Sequence, residues 1–122
     1  MRSPNTIVYL ISLLISIMAL DAFSIDFLQR KKELLIFSAS WCSPCQVLHK
    51  ELNNKNSLLN NAIKKYKVKK YDFDIDKNAV KQYNITSIPT FVILSNNKSE
   101  ESRMIGLRGG INDLIVYVLN NE

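Results

Sequence analysis

Residues 33–45 read ELLIFSASWCSPC: an apolar run, a short polar break, then a tryptophan and two cysteines separated by Ser43 and Pro44. Glu33 to Ser38 is short, almost continuously apolar and free of Gly and Pro, the pattern of a strand covered on both faces. Cys42 to Leu52 follows as a helix. Pro44 suits its first turn, where a missing N–H leaves no bond unmade and a fixed φ is already helical. The cysteine pair is thus expected where a buried strand hands over to a helix.

Beyond this junction, Leu58 to Tyr66 is a second helical stretch after the Asn-rich break NNKN, and Lys67 to Asp74 alternates as a strand. Lys77 to Tyr83 is a short helix, and Thr90 to Leu94 is a β-branched and aromatic strand. Asn96 and Asn97 turn the chain, Ser102 to Leu107 pairs back as the hairpin partner, and Ile111 to Leu119 closes as a helix. Parallel neighbours need crossovers and hairpin neighbours do not. The order therefore predicts an α/β fold: a mixed central sheet of about four strands flanked by helices on both faces.

A C-x-x-C pair at a helix start places the first sulfur beside unpaired backbone N–H groups and the positive end of the helix dipole, which favour thiolate over thiol. Cys42 is expected to be the acidic, exposed nucleophile. Cys45, three residues on and one turn inward, is the shielded resolving thiol that attacks a mixed disulfide held on Cys42. Trp41, Ser43 and Pro44 shape the surface around the pair. Three blander readings compete. A zinc site needs four ligands, and His49 is the one histidine in the chain. A structural disulfide across so small a loop removes little unfolded-state entropy. Ordinary buried thiols need no Ser-Pro between them. The residues favour redox chemistry, with no metal and no cofactor beyond the Cys42–Cys45 pair.

WCSPC after a buried strand, followed by Ser87-Ile88-Pro89-Thr90 before the next strand, resembles the thioredoxin family over roughly residues 33 to 120. Phe73-Asp74-Ile75-Asp76 and Gly106 fall where that family has a strand end and a late glycine. The resemblance implies a thioredoxin-like fold and thiol-disulfide oxidoreductase activity on protein disulfides or dithiols. It also implies that the bond before Pro89 is cis and faces Cys42 and Cys45, leaving the backbone of Ile88 free to pair with an extended substrate. Two departures matter. The N-terminal part is minimal, because little chain precedes the first strand. Where the family often carries a buried Asp six residues before the first cysteine, this chain has Ile36, and its partner Lys on the neighbouring strand is replaced by Asp72. Asp72 is accordingly a candidate proton acceptor for Cys45.

The chain has 122 residues, 47% of them hydrophobic, and a net charge of +5, which suits one small domain and a core made by apolar burial. Much of the apolar content lies in Ile7 to Leu20, IVYLISLLISIMAL. As a helix this run spans about 21 Å, short of the roughly 30 Å hydrocarbon core of a bilayer. Ala22 and Ser24 are small residues spaced like a signal-peptide cleavage site. Residues 1–24 are therefore read as a signal peptide or short membrane anchor, and 25–122 as the thioredoxin-like domain. The domain is expected to be exported, periplasmic or extracellular, or tethered by residues 7–20. The lysine cluster KKYKVKK at 64–70 lacks interleaved aromatic platforms and reads as a solvated rim, with no nucleic-acid partner. A monomeric reductant is favoured, supplied with electrons by another protein such as a membrane thiol transporter. An exported disulfide oxidase or isomerase and a non-catalytic binding module are the alternatives.

Overall fold

The structure, a computed structural model, describes residues 6–14 and 31–122. The chain divides into two compact units, Met1–Arg30 and Lys31–Glu122. In the first, residues 6–14 form a helix, α1. No helix among the described residues is long and apolar enough to cross a membrane. The remainder of the apolar run, the cleavage position after Ser24 and a domain start at Ile25 lie outside the described residues.

The second unit runs β1 (Glu33–Ser38), α2 (Ser43–Asn53), α3 (Leu58–Ile63), β2 (Lys67–Asp72), α4 (Lys77–Gln82), β3 (Thr90–Leu94), β4 (Glu100–Ile105) and α5 (Ile111–Asn120). The sheet order is β2-β1-β3-β4. β1 pairs parallel with β2 and antiparallel with β3, and β3 pairs antiparallel with β4. The expected mixed four-stranded sheet is present.

Every residue of β1 and β3 is buried, as their continuous apolar runs require of central strands. The edges carry the charge: β2 reads KVKKYD and β4 reads EESRMI, and neither is buried along its length. Charged side chains at an edge discourage pairing with another chain. Alternation along β1 divides the core into two layers. Leu34 and Ile36 pack with Leu48, Leu52, Leu59, Ile63, Leu114 and Val118 under α2, α3 and α5. Leu35 and Phe37 pack on the opposite face with Val92, Leu94 and Ile85, joined by Val80 of α4.

Three elements differ from expectation by two residues or more at an end. α3 stops at Ile63, three residues early, and the chain turns so that Tyr66 N–H bonds the Ile63 carbonyl. β2 ends at Asp72, not Asp74. There the Asp72 carboxylate accepts the N–H groups of Asp74 and Ile75, and Asp76 reaches back to accept the Asp72 N–H, closing a turn that competes with the strand. β4 begins at Glu100 and ends at Ile105, because Gly106, at φ 82°, turns the chain away. In the lysine cluster, Lys64, Lys65, Lys67 and Lys70 are exposed.

Candidate active site

The site is assembled from the turn after β1, the start of α2 and the loop before β3. Cys42 is the N-cap of α2, with extended backbone at φ −83° and ψ 118°, and its carbonyl accepts the first helical bond from Gln46 N–H at 3.0 Å. Ser43 and Pro44 are the first two helical residues and are exposed. The approach is braced twice: Cys42 N–H bonds the Ala39 carbonyl, and the Gln46 side-chain amide donates to the Ser40 carbonyl at 3.0 Å.

Both cysteines are free thiols. Cys42 retains 6% of its surface and Cys45 none. The order of accessibility matches expectation, but Cys42 is recessed rather than exposed, because Ala39, Phe73 and Ile88 pack around the pair. Burial pushes the Cys45 thiol up to about 12. The neighbouring Cys42 adds to the rise, and a hydrogen bond from the Ala39 backbone opposes it. A buried thiol keeps its proton because its thiolate would lose hydration.

The Ile88–Pro89 bond is cis and Pro89 is buried. Cys42 Sγ lies 3.9 Å from the Ile88 carbonyl oxygen, within reach of a weak S–H···O bond, so the loop before β3 meets the nucleophile directly. Two bonds hold that loop: Thr90 Oγ1 donates to the Ser87 carbonyl at 2.7 Å, and Gly106 N–H donates to the Pro89 carbonyl at 2.7 Å. Trp41 is 64% exposed, and its indole N–H donates to Asp74 Oδ2 at 2.7 Å. This fastens the aromatic plate beside the sulfurs while leaving its face to solvent.

Asp72 stands at the end of β2, opposite Ser38 in the β1 register, with Oδ1 engaged by the two turn amides. His49 is half-buried and hydrogen-bonded through Nε2 to Ser38 Oγ at 2.9 Å. The Trp41–Asp74 and Ser38–His49 pairs are absent from the sequence reading. Each pair joins residues too far apart in the chain, 33 and 11 positions, for local spacing to reveal it. No group of three or more His, Cys, Asp or Glu side chains among the described residues is arranged to hold a metal ion.

The Thioredoxin family model matches residues 15–117. Thioredoxin H2 of Arabidopsis thaliana is 31% identical over 83 residues, which cover 66% of this chain and 59% of that one, so the match spans about three fifths of the plant protein. Thioredoxin of Rickettsia bellii is 33% identical over 88 residues, covering 72% of this chain and 79% of its own length. Among solved structures, thioredoxin of Fasciola hepatica superposes with a TM-score of 0.63 over 85% of this chain and 94% of its own. Its 24% identity speaks for the fold alone.

Proposed function

The chain belongs to the thioredoxin family and is a thiol-disulfide oxidoreductase, and from that premise we propose that Cys42 and Cys45 reduce disulfides of protein substrates outside the cytoplasm. One observation carries the assignment of the sulfurs: Cys42 caps α2 beside the Ile88 carbonyl, and Cys45 lies one turn deeper with no exposed surface. Cys42 stands where the first-turn amides of α2 have no helical acceptor. Cys42 attacks a substrate disulfide, forming a mixed disulfide as one substrate sulfur leaves as thiolate. Cys45 then attacks the Cys42 sulfur and expels the second substrate thiolate. Two electrons and two protons pass to the substrate, and the protein is left with a Cys42–Cys45 disulfide. The substrate backbone pairs with Ile88 as an added strand, over a surface supplied by Trp41, Ser43 and Pro44. Asp72, on the neighbouring strand, is one candidate for the proton released by Cys45.

Export is supported by the apolar run Ile7–Leu20 and the small residues Ala22 and Ser24. In that compartment the oxidised protein needs an electron donor, and a membrane thiol transporter fits the role; the protein acts as a monomer. Insulin reduction with Cys42→Ser as control tests the chemistry. Turnover by wild type and none by the variant is expected, whereas equal inertness with retained binding would turn the reading to a binding module. Equilibration with glutathione tests direction. A potential near about −250 mV supports a reductant, and one near about −130 mV replaces it with an oxidase.

A further inference from the structure

Resolving the mixed disulfide requires the Cys45 thiolate, because the thiol is a poor nucleophile toward sulfur. Burial holds the proton on Cys45, and the contribution of the Cys42 thiol to that hold ends once Cys42 is locked in a mixed disulfide. A nearby base must accept the remaining proton as the new S–S bond forms.

The groups packed around this corner can be enumerated. β1 presents Ile36 and Ser38 toward α2, with Glu33 at its far end. β2 places Lys70 and Asp72 on the same face, in register with Ile36 and Ser38. The turn after β2 carries Asp74 and Asp76, and residues 85–90 before β3 contain no titratable side chain. Asp74 is engaged by the Trp41 indole, Asp76 by the Asp72 N–H, and Asp72 by two turn amides. Lysines 50 and 70 are exposed, and Glu51 is half-buried two helical positions beyond His49.

His49 is placed differently. It is four residues after Cys45, so the two occupy one face of α2 with Cβ atoms about 5–6 Å apart. Helical side chains lean toward the N-terminus, which carries His49 back over the turn that holds Cys45. The ring is half-buried and fixed through Nε2 to Ser38, the residue before Ala39, which packs against both cysteines.

We propose that His49, oriented by Ser38, is the proton acceptor for Cys45 in resolution of the mixed disulfide. This rests on the disulfide-exchange reading above. With Ser38 Oγ accepting from Nε2–H, Nδ1 keeps its lone pair and takes the Cys45 proton across one water. The Cys45 electron pair forms the bond to the Cys42 sulfur, and the Cys42–substrate bond breaks toward the substrate thiolate. The imidazolium then returns its proton to solvent or to the leaving thiolate.

The test uses the full chain and an aromatic disulfide that releases a coloured thiolate twice, first on attack by Cys42 and again on resolution by Cys45. In His49→Gln the loss is expected on the second release, at least about tenfold at neutral pH and shrinking as pH rises and hydroxide substitutes for the base. In His49→Ala, added imidazole restores the second release in a saturable manner, a rescue that a packing role does not allow. Ser38→Ala, which keeps the imidazole but removes its brace, falls between wild type and His49→Gln and reports on the same step should His49→Gln fail to fold. A second release at the wild-type rate in His49→Gln overturns the proposal. So does a slowdown in Asp72→Asn with none in the His49 variants. Absence of the first release in wild type would instead sink the exchange reading itself, and this proposal with it.

Discussion

At the scale of single residues, the two sulfurs differ by one helical turn of depth. Cys45 carries no exposed surface and its thiol is pushed up from 9.0 to about 12, chiefly by burial. A raised value means that the folded state binds this proton more tightly than the unfolded chain does. The resulting stability is complete below about pH 9 and is lost as pH climbs toward 12. Urea midpoints of the reduced protein should therefore fall further between about pH 8 and about pH 11 in wild type than in Cys45→Ala, and parallel losses would show that the thiol is not held neutral by the fold. On the proposed mechanism Cys45→Ala is a trap: with Cys42 left to attack and nothing to resolve, clients should persist as mixed disulfides visible by mass and released by reductant. The cysteine pair and its place at a helix start were legible from sequence, because helix starts depend on local spacing. Pro89 was legible through family resemblance, since no local rule brings it to Cys42. Ser38 and His49 went unpaired in the reading because a serine at a strand end carries no sign of the helix that will cover it.

At the scale of elements, the short helices depend on side chains that satisfy their ends. Ser57 caps α3 by accepting Asn60 N–H at 3.1 Å, while the Asn60 side-chain amide donates to the carbonyls of Leu52 and Asn54 at 2.9 and 2.7 Å. One asparagine thus closes the open end of α2 and joins it to a helix of six residues, too short to be stable by itself. Asn60→Ala should cost roughly 1–3 kcal/mol in urea unfolding at unchanged m, because it strands the carbonyl of the buried Leu52. A loss below about 0.5 kcal/mol would mean that solvent replaces the amide. Gly106 is the corresponding device at the end of β4. A Cβ there would meet nothing within 4 Å, so Gly106→Ala tests backbone conformation alone at φ 82°. It should cost roughly 1–2 kcal/mol and loosen the bond from Gly106 N–H to Pro89, lowering insulin reduction more than the stability loss explains. Element existence and order were readable from periodicity in every case within 31–122. The boundaries were not, because carboxylates in the Asp72–Asp76 turn offer the backbone partners that a period-two pattern does not reveal.

At the scale of the whole molecule, the candidate active site occupies one end of the central strands and an ionic clamp occupies the other. Glu33 opens β1, and its carboxylate is only 2% exposed. It pairs with Lys69 of β2 at 3.3 Å and with Lys98 in the turn between β3 and β4. Two strands and the β3–β4 turn are thus tied together at the far end of the sheet. Burial by itself would raise the carboxyl, but the two ammonium groups outweigh it and hold Glu33 below the ordinary 4.5. Because the folded-state value is depressed, the clamp contributes fully above the unfolded value and is lost as pH falls through the folded one. Removing one partner of a buried pair commonly costs about 3–5 kcal/mol. Here Lys69 and Lys98 remain 40% and 61% exposed, so solvent screens them and the expected cost of Glu33→Gln at neutral pH is nearer about 1–2 kcal/mol. Thermal melts of wild type and Glu33→Gln should differ clearly at neutral pH and converge in acid, where the wild-type carboxyl is protonated as well. The rate of insulin reduction at temperatures well below both melts should be the same for the two proteins, since the clamp and the cysteines lie at opposite ends of β1. A difference that persists undiminished in acid would show that Glu33 acts through packing rather than charge. A rate change without loss of stability would show that the two ends of the strand are mechanically coupled.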